Sequence, residues 1–150
     1  MRCLFKKVCL GGTFSIFHKG HKKLLLKASQ LSRRLIVGVT SDEYAKSLRK
    51  CHPVEAFEKR VEKIKKFLET LQVSFKIVKL HDPYGPAVYD EELEAIVVSS
   101  ETLPTALKIN QVRRKKGLRP LTIYVVEWVL AENGLRYSST AIWRGLVATS

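Results

Sequence analysis

The sequence predicts an α/β protein, a Rossmann-like five-stranded parallel sheet with helices on both faces. Three observations lead there. Five short runs recur along the chain, helical amphipathic stretches separate them, and the runs are rich in Val, Ile and Leu. Strands covered on both faces have that character. A chain of 150 residues suits a single domain, residues 1–150, with its own core.

The first strand is expected over Lys6–Leu10. A helix follows over Gly20–Ser32, where Leu24, Leu25, Ala28 and Leu31 make one apolar stripe. Leu35–Val39 reads as the second strand. In Val54–Leu71, Phe57, Val61, Ile64, Leu68 and Leu71 repeat at three- and four-residue steps with charges opposite, which predicts a helix. Phe75–Leu80 is the third strand. His81–Asp90, with Pro83, Gly85 and Pro86, reads as an ordered loop. Ala95–Ser99 is the fourth strand, and a helix over Pro104–Lys116 stops at Gly117. Leu121–Val126 is the fifth strand, and a short last helix runs from near Ser139 to Gly145. In such a sheet, ligands are expected at the carboxyl ends of the strands.

The net charge of +13 attracts anions without choosing among nucleic acid, acidic lipid and phosphorylated small molecules. No apolar run reaches the roughly 18–20 residues of a membrane span. Met1–Lys7 lacks the apolar segment of a signal peptide, so the chain reads as cytoplasmic, without a membrane partner. Cys3, Cys9 and Cys51 form no disulfide framework or metal knuckle, and Cys9 reads as a small core residue.

Gly11-Gly12-Thr13-Phe14-Ser15 follows the first strand and matches neither GxGxxG nor the P-loop. Two glycines there allow a tight turn and close approach of a ligand to the backbone. His18 and His21 stand three apart at a helix start, so both can face one side. Three readings apply: a solvated or capping pair, two metal ligands, or donors added to helix amides that already favour phosphate. The metal reading is the weakest, because Cys51, His52 and His81 show no ligand spacing. Near the other end, Tyr137-Ser138-Ser139-Thr140 precedes the last helix, and Arg144 lies one turn beyond Thr140. The hydroxyls are good caps and also phosphate donors. Two such helix starts in one small domain suit a polyphosphate chain.

Gly11-Gly12-Thr13-Phe14, His18-x-Gly20-His21 and Ser138-Ser139-Thr140 together resemble the nucleotidyltransferase superfamily with HxGH and ISSTxxR motifs, and within it the archaeal-type phosphopantetheine adenylyltransferase family. The likeness spans nearly the whole chain, through Thr40-Ser41-Asp42-Glu43, Ala56–Arg60, Asp82–Pro86, Glu94–Ser99, Glu101-Thr102, Ile109-Asn110, Arg113 and Gly117–Leu121. Three positions depart from the family pattern. Ser15 replaces an Asp, Asn133 replaces a frequent Asp, and Trp143 occupies the usual first basic position of the last motif. Arg144 stands one residue on, which turns a helical side chain by about 100°.

The resemblance implies transfer of AMP from ATP to 4′-phosphopantetheine, giving dephospho-coenzyme A and pyrophosphate, with Mg2+ carried on the ATP phosphates. It implies His18 as the α-phosphoryl contact and His21 on the nucleotide phosphates. Thr13 would bond the acceptor phosphate or the transferring phosphoryl. Ser138, Ser139 and Thr140 would hold the β and γ phosphates, with Arg144 beside them and Gly11, Gly12 and Phe14 lining the nucleotide site. Lys46 is the leading partner for the acceptor phosphate, with Arg49 and Lys50 in competition. An adenylyl- or cytidylyltransferase with another phosphorylated acceptor is the alternative. RNA binding through the basic stretches Lys59–Lys66 and Arg113–Arg119 is the weaker one. These stretches read as solvated helix faces, and nucleic acid is not the expected partner, since no RNA-binding signature accompanies them.

Overall fold

The computed structural model describes residues 4–148 except 49 and 128, so Cys3 and Arg49 lie outside the described residues. Strand β1 (Val8–Gly12) is followed by helix α1 (Lys19–Leu31), β2 (Arg34–Thr40), α2 (Asp42–Ser47), α3 (Phe57–Glu69) and β3 (Ser74–Leu80). A 3-10 turn at Gly85–Val88 leads to β4 (Ala95–Val98), α4 (Leu103–Lys115), β5 (Thr122–Val125) and α5 (Ser139–Trp143). The five strands form one parallel sheet in the order β3-β2-β1-β4-β5. The order reverses between β1 and β4, which makes their carboxyl ends the expected place for a ligand.

Alternation along the strands divides the core in two. Val8 and Leu10 with Leu35, Val37 and Val39 face α1 and α3, which contribute Leu25, Ala28, Leu31, Ile64 and Leu68. Cys9, Ile36, Ile96 and Val98 point the other way, against Ala106 and Ile109 of α4 and Ala87 of the 3-10 turn. Burial raises the Cys9 thiol to about 12, as suits an inert core residue.

Two boundaries differ from the sequence reading in ways that matter for the site. β1 runs two residues later than expected and includes both glycines, paired as Gly11 with Gly38 and Gly12 with Val39. The turn therefore begins at Thr13. Helix α2 was not evident from periodicity because six residues make too few turns for a stripe. Its signal is the cap, Ser41 Oγ accepting from Tyr44 N at 3.0 Å.

Two arginines within the supposed solvated basic stretches are buried instead. Arg60 is 0% exposed and Arg113 is 1% exposed. Arg113 donates to the carbonyl oxygens of Ala87 (2.9 Å), Asp90 (3.0 Å) and Arg119 (2.7 Å), closing the loops beneath α4. A guanidinium has five donors in a fixed fork, so one side chain satisfies several loop carbonyls at once. Lys59, Lys63, Lys65 and Lys66 on α3 and Arg114, Lys115 and Lys116 on α4 do face solvent.

Candidate active site

The β1–α1 loop carries two non-glycine residues with positive φ, Phe14 at 55° and Ile16 at 46°. That region costs a branched side chain roughly 1–3 kcal/mol, so the surroundings must impose it. Side chains from elsewhere hold two peptides of the loop, Thr13–Phe14 and Ser15–Ile16. Arg60 Nη1 donates to the Thr13 carbonyl at 3.0 Å, and Ser139 Oγ donates to the Ser15 carbonyl. Ile16 N–H donates to both carboxylate oxygens of Glu55, at 3.0 and 3.1 Å. Burial pushes the Glu55 carboxyl up, but the backbone N–H groups of Glu55 and Ile16 and the charge of Lys63 outweigh it and hold it below its ordinary value.

His18 and His21 form a capping box, with imidazoles in the roles usually taken by a hydroxyl and a carboxylate. Gly20 N–H donates to His18 Nδ1 at 3.0 Å, and His18 N–H donates to His21 Nδ1 at 3.2 Å. A ring nitrogen that accepts from an amide carries no proton, so both rings are the Nε2–H tautomer. The rings stack at 3.7 Å between centroids, an arrangement suited to two neutral imidazoles. Burial, then the charge of Arg136, lowers the His18 pKa to about 4. Burial, then the charges of His18 and Lys50, holds His21 well below its ordinary value. The capping reading holds for this pair: each Nδ1 accepts an N–H at the helix start, which leaves each Nε2–H to donate elsewhere.

Gly20 is required by the same geometry. A Cβ there would stand 2.8 Å from His18 Cε1 and 3.0 Å from Nδ1, inside contact distance of a ring held by its cap bond. Alanine normally stabilises a helix over glycine by about 1 kcal/mol. Gly20→Ala is therefore expected to leave the melting temperature nearly unchanged while displacing His18. Turnover should fall roughly ten- to a hundredfold, the scale on which small misplacements act. Wild-type turnover in a folded Gly20→Ala variant would refute the steric role.

His18 also makes a pH prediction. Its folded pKa of about 4 lies below the ordinary imidazole value of 6.5, so folding favours the neutral ring. The associated stability is complete above pH 6.5 and is lost as pH falls toward 4. In NMR titration, His18 should keep its neutral Nε2–H signature down to pH 5. A midpoint near 6.5 would show that the cap bond does not hold.

These groups border a cleft of about 290 Å³ at the carboxyl ends of β1, β4 and β5. Gly11, Gly12, Thr13, Phe14, His18, His21, Ser138, Ser139 and Thr140 all line it. Phe14 does so with its ring buried, packed on His21 at 5.3 Å between centroids. The three hydroxyls before and within α5 have distinct partners. Ser138 Oγ accepts from Ala141 N at 3.1 Å and keeps its proton for a ligand. The Ser139 proton is committed to Ser15 O. Thr140 Oγ1 is 2.8 Å from His52 Nδ1.

Two cations of the sequence reading lie elsewhere. Lys46 stands in the last turn of α2 and Arg144 caps the exposed carboxyl end of α5, neither among the residues that line the cleft. Lys50 and Arg136 line it, Arg136 in an ion pair with Glu101. Arg136, His52, Glu55 and Arg60 were not singled out as site residues. Arg136 had a signal in its place two residues before Ser138, whereas the others act through contacts that spacing does not encode. Among the described residues, no group of three His, Cys, Asp or Glu side chains could hold a metal ion. No helix among them is long and apolar enough to cross a membrane.

Residues 9–145 match the cytidylyltransferase-like family, and the chain belongs to that family of nucleotidyltransferases. It is 41% identical over 145 residues to the phosphopantetheine adenylyltransferase of Methanothermobacter thermautotrophicus, covering 97% of this chain and 87% of that one. It is 43% identical over 148 residues to the phosphopantetheine adenylyltransferase of Pyrobaculum aerophilum, covering 97% and 95%. Among solved structures, a protein of unknown function from Archaeoglobus fulgidus superposes with a TM-score of 0.75 at 41% identity, over 87% of this chain and 96% of that one. A lipopolysaccharide core biosynthesis protein from Thermoplasma volcanium, at 20% identity and a TM-score of 0.65 over 89% and 98% of the two chains, shares the fold.

Proposed function

We propose that this protein is a phosphopantetheine adenylyltransferase, moving AMP from ATP to 4′-phosphopantetheine in coenzyme A biosynthesis, in the cytoplasm and as a single domain. Relatives named for that activity at about 40% identity over most of the chain support the substrates. In this structure, the observation that carries the reading is the neutral histidine pair at the start of α1, with both Nδ1 atoms engaged and both Nε2–H groups left as donors.

The acceptor phosphate oxygen attacks the α-phosphorus of ATP, forming a new P–O bond as the α–β bridging bond breaks and pyrophosphate leaves. A phosphate is already a nucleophile, so no serine, cysteine or strong base is needed. The protein's contribution is positioning and stabilisation of charge. His18 and His21 donate to the transferring phosphoryl, and Thr13 and Lys50 hold the acceptor phosphate. Ser138, Thr140 and Arg136 receive the leaving phosphates. Magnesium enters as part of the MgATP substrate, and no step is assigned to a protein-held metal.

Pyrophosphate release tests the assignment, with ATP or CTP offered against phosphopantetheine, nicotinamide mononucleotide and glycerol phosphate. Turnover is expected with ATP and phosphopantetheine. Turnover with another pair, and none with this one, would replace the acceptor or nucleotide assigned here.

A further inference from the structure

His52 lies in the segment between α2 and α3, outside every motif that suggested the activity, and only 9% of it is exposed. Its two ring nitrogens reach two different elements that line the cleft. Nε2 is 2.7 Å from Ser15 Oγ in the β1–α1 loop, and Nδ1 is 2.8 Å from Thr140 Oγ1 in α5. Burial, then the charge of Lys50, lowers its pKa against a smaller opposing pull from Glu55, so the neutral ring is favoured.

A neutral imidazole has one donor and one acceptor nitrogen, and each hydroxyl has a single proton. Two arrangements follow. With the proton on Nε2, the ring donates to Ser15 and Thr140 must spend its own proton on Nδ1. With the proton on Nδ1, Ser15 donates to Nε2, Thr140 oxygen accepts from the ring, and the Thr140 proton stays free. Only the second leaves Thr140 able to donate to an anion in the cleft it lines. A phosphate there selects that tautomer.

We propose that His52 is a positioning residue for the nucleotide: its Nδ1–H holds the Thr140 oxygen so that the hydroxyl proton is directed to the ATP phosphates, while Ser15 fixes the ring from behind. The inference rests on the ATP site proposed above but not on the identity of the acceptor. It is therefore tested by calorimetric ATP binding without acceptor, which stays informative if phosphopantetheine proves to be the wrong substrate.

Two substitutions separate the ring's two ends. Asparagine places its amide near the former Nδ1 and can still serve Thr140, whereas glutamine reaches toward the former Nε2 and serves Ser15. His52→Asn should bind ATP within about threefold of wild type, and His52→Gln should bind about tenfold more weakly, the loss of one hydrogen bond of ordinary strength. Combining His52→Gln with Thr140→Ala should add less than twofold to the Thr140→Ala defect, because both remove the same donor. A packing role would not distinguish the two amides in this sense. Equal losses for the Asn and Gln variants, wild-type binding by His52→Gln, or defects that multiply in the double variant would overturn the proposal.

Discussion

His18→Ala is expected to lower kcat by about 10²–10³, the cost of removing a preorganised donor from a developing charge. His18 has two functions, so one variant cannot separate them. As the N-cap of α1 it accepts from Gly20 N–H, and losing such a cap costs about 1 kcal/mol of stability. Its other nitrogen supplies the proposed phosphoryl contact. His18→Asn isolates the two, because asparagine is among the best N-caps but is too short to replace Nε2–H. That variant should melt like wild type and still show the full loss of turnover. If His18→Asn retained wild-type kcat in single-turnover measurements, His18 would be a cap alone.

Arg60→Met is expected to be strongly destabilising. The guanidinium donates to Glu55 O at 2.8 Å, Thr13 O at 3.0 Å and Thr40 Oγ1 at 3.1 Å, and pairs with Asp42 at 2.9 Å. Asp42 is about half exposed and would be rehydrated, so the stranded acceptors account for most of the loss. At about 1–3 kcal/mol for a buried group left unsatisfied, the sum is on the order of 3–5 kcal/mol. For a chain of this size that is roughly 6–20 °C in melting temperature. Asp42 Oδ1 also accepts from Phe57 N at 2.9 Å, serving the start of α3, where Ala56 has no capping side chain.

Arg113→Met provides the comparison. It strands loop carbonyls of a similar number on the far face of the sheet, so its stability loss should be comparable. Only Arg60, however, holds the carbonyl of Thr13. At a temperature where both variants are folded, Arg60→Met should lose turnover and Arg113→Met should keep it. Equal turnover in the two would mean that the strained loop keeps its shape without the guanidinium.

The strands and the longer helices were legible in the sequence because burial on two faces leaves continuous apolar runs, and a stripe at 3.6-residue spacing survives any loop rearrangement. The pairing of the two histidines was legible for a related reason: it depends on neighbouring positions of one helix turn. Arg60 and Arg113 were misread because each sits in a run of solvated cations and differs from them only in what faces it across the fold. Arg136 and Lys50 were harder to prefer over Arg144 and Lys46, since a shift along a loop or helix end decides which cation reaches the cleft. His52 is the extreme case, with partners 37 and 88 residues away.

The tie between Ser139 Oγ and Ser15 O joins positions 124 residues apart. A ribosome releases this chain from its amino end, and domains can begin to fold while synthesis continues. All five strands precede α5 in the chain, so they leave the ribosome before it does. The loop with Phe14 and Ile16 then lacks one of its restraints, and the cleft lacks its far wall, until Ser139 emerges. A chain cut before Ser139 would thus keep all five strands and lack both this restraint on the loop and this wall of the cleft.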